Sequence, residues 1–353
     1  MDRLSDPASL HGWIPTRLFW DEGRPAVDWC YLENRGFKDS SFDQIVSECL
    51  YHPFNLLFGH QTPIEVLGEW SAASPGLRPT GFIFHVSHTA STLVSRALAA
   101  LSLSLVLAEA RPIDSILRAQ FYCEQVTDEQ RIMWLRWMVS ALSQRTSDGP
   151  SHFFVKFHAW NMVELPLIRQ AFPGVPWIFI YGEPIEVLAS QLDHRGAHMI
   201  PGVISASLFG INHPKIPEME VEEYGARVLA GIYQAALTHS SAGGMLVNYA
   251  ELPDAIWSSI TNFLRIPLTE TEAGMMKVAA RRYVQNSAVA SRNDTARNRK
   301  PITEQTRRAA LEWLDPIYQE LEKVRCLKSD KLKAVNRSDS NFPRPGEDYS
   351  SGT

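Results

Sequence analysis

Five short apolar runs stand out along the chain, at 81–87, 104–109, 152–158, 175–181 and 244–249. Each has strand length and a near-continuous apolar character, the mark of a strand buried on both faces. Between the runs the apolar spacing changes to three and four. After GFIFHVS, the residues Leu93, Val94, Ala97, Leu98 and Leu101 fall on one helical face. PIDSILRAQFY follows the second run, with Pro112 at its start. TDEQRIMWLRWMVSALSQRT carries Thr127 as N-cap and Gln130 at the capping-box position. MVELPLIRQAF, EPIEVLASQLDHR, EVEEYGARVLAGIYQAALTHSS, DAIWSSITNFLRI and ITEQTRRAALEWLDPIYQELEKVR also read as helices. Strands alternating with helices predict an α/β fold, a central parallel sheet flanked by helices on both faces. Such sheets bind ligands at the carboxyl ends of their strands. That edge then gathers His85–Thr92, Lys156–His158, Gly182–Glu183 and Asn248–Glu251.

Residues 1–75 read differently. IPTRLFW and AVDWCYL suit short strands or docking segments, and SSFDQIVSECLYHPFNLLFG suits a helix ended near Pro53. The expected organisation is an N-terminal extension packed on the core (1–75), an α/β domain (76–327) and a disordered polar tail (328–353). The formal net charge of −5 argues against nucleic-acid binding by bulk charge. The four scattered cysteines show no metal-ligand spacing, so reduced structural thiols and no metal are expected. The polar N-terminus has no apolar leader, and no run reaches the ~20 apolar residues of a membrane span. A cytoplasmic protein acting on a small molecule is expected, as a monomer or homodimer, with no membrane or nucleic-acid partner.

Chemistry is concentrated in HVSHTAST, residues 85–92. A helix N-terminus offers free N–H groups and a partial positive charge to an anion. Thr89, Ser91 and Thr92 add hydroxyls, and small residues at 89–91 let backbone approach a phosphate. A plain capped strand-to-helix turn fits the spacing equally. The loop is not a Walker A motif, which leaves a nucleotide kinase a weaker reading.

FIFHVSHTASTLVSRAL resembles the opening loop of the sulfotransferase superfamily, in particular a bacterial branch reading roughly H-x-S-R-C-G-S-T-L-x-S. VKFHAWNMVELPLIRQAFPGVPWIFIYGEPIEVLAS is similar in its order: Lys-x-His, helix, Phe-Pro, apolar strand, then x-x-P-x-E-V-x-x-S. VNYAEL and HPFNLLFGHQT also resemble family segments, and the likeness covers about residues 75–325. It implies a P-loop-like fold and transfer of a sulfuryl group from 3′-phosphoadenosine 5′-phosphosulfate (PAPS) to a hydroxyl or amine. It implies that Lys156 neutralises the leaving phosphate and that His158 is the general base. Ser87, His88, Thr89, Ala90, Ser91 and Thr92 match the loop around the 5′-phosphosulfate. Ser190 matches a serine for the 3′-phosphate. Arg292, Arg297, Arg299 and Lys300 match a basic loop that closes over the donor.

Three positions depart from the pattern. His88 stands where Lys or Arg is expected, Ala90 where glycine is, and Gly182 where an arginine would clamp the 3′-phosphate. Three readings therefore stand: a PAPS enzyme with an unusual donor site, a PAPS-independent acid/base enzyme using His88 and His158, and a non-catalytic binding protein.

Overall fold

The computed structural model describes residues 10–32, 42–86, 88–144, 149–212, 216–241, 243–298 and 302–339; at 88–90, 217, 287–298 and 329–339 it describes backbone only. An antiparallel sheet comes first, β1 (Trp13–Asp21), β2 (Arg24–Tyr31) and β3 (His60–Pro63), in that order. Glu22 and Gly23 join β1 to β2 with φ of 46° and 80°. Positive φ at both central residues gives a hairpin turn whose twist matches that of the strands. The segment expected as one helix ending near Pro53 is two, α1 (Phe42–Leu50) and α2 (Pro53–Leu57). Pro53 opens the second because its missing N–H costs nothing in a first turn. α3 (Glu65–Ala73) leads into the main sheet.

The main sheet is fully parallel, with order β5-β6-β4-β7-β8. Its strands are β4 (Gly81–His85), β5 (Ser104–Ala108), β6 (His152–Lys156), β7 (Trp177–Tyr181) and β8 (Gly244–Asn248). The five apolar runs are therefore its five strands. The period of two splits their side chains between two cores. Phe82, Phe84, Phe153, Val155 and Phe179 face one; Ile83, Val106, Phe154, Ile178 and Ile180 face the other. The first core is covered by α5 (Arg111–Leu117), α6 (Ala119–Tyr122), α7 (Asp128–Leu142), α8 (Leu165–Ala171), α9 (Pro184–Asp193) and α10 (Val221–His239). It also takes in the small sheet, whose β1 packs on α5 and α7. Over the second lie α4 (His88–Ala99), α11 (Thr261–Phe263) and α12 (Glu270–Asn298). The capping box read at Thr127 and Gln130 is formed.

α12 is absent from the sequence reading, which placed a basic loop over its last residues. The helical backbone continues through Arg292 and Arg297 to Asn298, so a loop at those two positions is corrected to helix. α13 (Glu304–Ala309) and α14 (Asp315–Asp339) follow. The stretch expected as a polar tail from 328 begins as the last turns of α14, and Lys328 donates to the carbonyls of Ser240 and Gly244. Residues 340–353 lie outside the described residues. No helix among the described residues is long and apolar enough to cross a membrane. None of the four cysteines is in a disulfide, and burial together with Cys49 pushes the Cys30 thiol up to about 12.

Candidate functional site at the carboxyl edge of the sheet

The chain leaving β4 runs to β5 at one edge of the sheet, and the chain leaving β6 crosses to β7 beyond β4. Adjacent strands whose connections diverge leave a crevice at their carboxyl ends. Four ionisable residues meet there. β5 pairs with β6 so that Ala108 lies opposite Lys156. The next residue, Glu109, donates its backbone N–H to the Lys156 carbonyl at 2.7 Å and turns with φ of 56°. That left-handed conformation costs a non-glycine residue roughly 1–2 kcal/mol.

The Glu109 carboxylate binds in several directions. Its Oε1 lies 3.0 Å from Lys156 Nζ and 3.1 Å from His85 Nε2; its Oε2 lies 4.0 Å from His158 Nδ1. Lys156 shares its parity with Phe154, so it points toward α4, where its ammonium donates to Thr92 Oγ1 at 3.3 Å. An ammonium has three N–H donors, and these two partners take two of them. Lys156 and His85 are buried; His158 and Glu109 keep 15% and 17% of their side-chain surface exposed, enough to be reached from the edge.

His158 sits just beyond β6, as N-cap of a short turn over Ala159–Glu164. Its backbone N–H donates to Asn161 Oδ1 at 3.1 Å, and its ring stacks on Trp160 with centroids 4.4 Å apart and planes 9° apart. Asp114 holds that turn from below. Its Oδ1 accepts from Trp160 Nε1 at 2.6 Å and Asn161 Nδ2 at 2.8 Å, and its Oδ2 accepts from Arg118 Nε at 3.0 Å. A buried carboxylate with three donors is satisfied in place.

A second network closes the edge at β7 and β8. Tyr318 donates to Glu183 Oε1 at 2.7 Å, Tyr181 donates to Glu322, and Asn248 Nδ2 donates to Tyr318 and Glu322 at 3.1 Å each. Arg325 binds Glu322, and at 3.0 Å also Glu251. Burial pushes the Tyr318 phenol up to about 12, and raises Tyr181 as well, aided in each by donation to a glutamate. Burial would raise Glu322, but bonds from Arg325, Tyr181 and Asn248 outweigh it and hold the carboxyl below its usual range. Gly182 lies in this corner, its carbonyl accepting from Tyr233 Oη at 3.0 Å.

The structure thus brings Lys156, His158 and Thr92 into one cluster. Ser91 is buried on α4 beneath it. Ser190 is exposed on α9. Ser87, Arg299 and Lys300 lie outside the described residues, as do the side chains of His88, Thr89, Ala90, Arg292 and Arg297. Sequence reasoning missed Glu109, His85 as its partner, and Asp114. Glu109 carried one signal, a lone acid at the end of the apolar run SLVLAEA. Among the described residues no group of three His, Cys, Asp or Glu side chains is placed to hold a metal.

No family model matches the sequence, and no curated protein matches it. Among solved structures, the chain is similar to the sulfotransferase domain from the curacin biosynthetic pathway at 15% identity, over 67% of this chain and 98% of that one, with a TM-score of 0.37. A sulfotransferase from Mycobacterium avium aligns at 11% identity over 72% of this chain and 80% of that one, with a TM-score of 0.41. The sulfotransferase domain of the Synechococcus PCC 7002 olefin synthase aligns at 12% identity over 67% and 95%, with a TM-score of 0.32.

Proposed function

We propose that the chain is a transferase that moves a sulfuryl group from PAPS to a hydroxyl or amine of a small molecule at the β4–β6 edge. The observation that carries this reading is the position of Lys156. Its ammonium is tied to Thr92, near the start of the helix that follows β4, and to Glu109, which among the described residues leaves one N–H to give. A buried ammonium beside a helix N-terminus suits a developing phosphate anion. The donor, when bound, supplies the activated sulfuryl group. Lys156 would neutralise charge on the departing phosphate, and His158 would take the proton from the attacking acceptor. Glu109 would hold both residues in register. Thr92, Ser91 and the N-terminus of α4 would cradle the 5′-phosphosulfate.

The residues fit that half of the donor better than the other. Where a 3′-phosphate would be clamped stands Gly182, beside Glu183 and Glu322. Carboxylates repel a phosphate, glycine supplies no donor fork, and the Arg325 guanidinium of this corner is already bound to Glu322 and Glu251. This supports a second reading, a PAPS-independent enzyme in which Glu109 and His158 perform acid/base chemistry on an uncharged or cationic metabolite.

Titration calorimetry with 3′-phosphoadenosine 5′-phosphate separates the two. Micromolar binding, lost in Lys156→Ala, is expected for the transferase. Absence of binding up to millimolar overturns it in favour of the second reading.

A further inference from the structure

The segment around α2 carries an apolar surface that the proposed reaction does not use. Tyr51 is 81% exposed, Leu57 76%, Leu56 68% and Phe58 58%, and Leu50 and Phe54 are each more than a third exposed. At about 150–250 Å² per aromatic side chain, Tyr51, Phe54 and Phe58 alone expose roughly 270–440 Å², and the three leucines widen that surface. The largest apolar patch of an ordinary monomer is about 300–600 Å², and a standard interface takes about 800 Å² per partner.

The ridge is held outward. Asn55 fixes α2 to the edge of β2, its Oδ1 accepting from Tyr31 N at 2.8 Å and its Nδ2 donating to the carbonyls of Tyr31 at 3.0 Å and Cys49 at 2.9 Å. Phe54 packs behind the ridge against Trp13, Tyr31 and Phe58, with ring centroids 5.0–5.9 Å apart. A surface presented in this way loses little freedom on binding.

We propose that this ridge is the interface of a homodimer, with the same ridge of a second copy as its occupant. Area is the first reason: the three exposed leucines added to the aromatic surface bring the ridge toward the area that one partner gives a standard interface. Charge is the second. Between Lys38 and Arg78 the sequence has no Lys or Arg and five acids, Asp39, Asp43, Glu48, Glu65 and Glu69. An anionic membrane attracts basic surroundings and is disfavoured by these. A two-fold contact places the uncharged ridge on itself, so no like charges need meet at its centre.

Sedimentation equilibrium of the full-length protein at micromolar concentration tests this. The expected result is a dimer that tightens with added salt, because apolar faces associate while two net-negative copies repel less. Leu57→Asp should weaken dimerisation by about 30-fold or more and, at concentrations where both proteins are monomeric, leave the thermal midpoint unchanged, since the side chain touches little in the monomer. Tyr51→Ser should act in the same direction if Leu57→Asp fails to fold. A monomeric wild type, or a Leu57→Asp or Tyr51→Ser variant as dimeric as wild type, overturns the proposal. A monomer that floats with phosphatidylserine vesicles overturns it in favour of a lipid surface.

Discussion

Glu109 and Lys156 are bound to each other twice. The Glu109 backbone N–H donates to the Lys156 carbonyl at 2.7 Å, and its carboxylate lies 3.0 Å from the Lys156 ammonium. The backbone bond belongs to the parallel register of β5 and β6, so the ion pair is a consequence of strand pairing. It gives the buried ammonium a counter-charge and keeps it from standing alone. It also places a negative charge where the proposed donor brings several more.

Glu109→Ala should therefore destabilise the fold by about 3–5 kcal/mol, the usual cost of orphaning a buried charge, as read from urea unfolding. Glu109→Gln keeps the shape and removes the charge. It should raise affinity for 3′-phosphoadenosine 5′-phosphate by about tenfold or more in calorimetry. A fall in affinity would instead mean that the register of Lys156 depends on the Glu109 charge itself and not on the shape that glutamine keeps.

The strands were readable because burial on both faces leaves uninterrupted apolar runs. Lys156 and His158 were readable from their spacing at the end of one such run. Two features escaped for different physical reasons. Over its described side chains, 270–286, α12 buries little apolar surface, chiefly Met276 and Ala280, so that stretch lacks the periodic stripe that marks a packed helix. Glu109 looks like a solvated turn residue until β5 is set beside β6, and no local pattern encodes that pairing. The Gly182 departure was legible, but the carboxylates beside it were not. Glu322 arrives from a helix 140 residues further on.

Asp114 should act on chemistry from a distance. It holds Trp160 and Asn161, which in turn stack on and cap His158. Asp114→Ala leaves a buried indole N–H, a buried amide and Arg118 without their acceptor. A loss of about 3–5 kcal/mol is expected in denaturant unfolding. At temperatures where the variant remains folded, the His158 ring-proton shift should move in NMR spectra as the stacking is released. An unmoved shift would confine Asp114 to a purely structural role.

Gly182 tests the donor corner directly. A Cβ there meets only Tyr249 Cβ at 3.5 Å and Val187 Cγ2 at 3.6 Å, ordinary contact distances. Gly182→Ala should then change stability by no more than about 1 kcal/mol. In a PAPS enzyme, Gly182→Arg should tighten binding of 3′-phosphoadenosine 5′-phosphate by about 10–100-fold, the worth of hydrogen bonds to a charged group. Unchanged affinity would mean that Glu183 or Glu322 captures the guanidinium and that the corner is not a phosphate site.

The tyrosine–glutamate network should make α14 docking sensitive to pH at both ends of the scale. Glu322 is held below the usual carboxyl range, so its contribution is fully present above the unfolded value of about 4.3 and is lost as pH falls below it. Tyr318 has the opposite sign. Its phenol is raised to about 12, so its contribution is complete below the unfolded value of about 10 and is lost as pH rises from there through about 12. Thermal midpoints measured across pH should fall at both limits. Glu322→Gln should make the acid limb shallower, and Tyr318→Phe should make the alkaline limb shallower while Tyr181 keeps part of it. Acid and alkaline limbs that respond to neither substitution would mean that groups outside this network set the pH dependence of the fold.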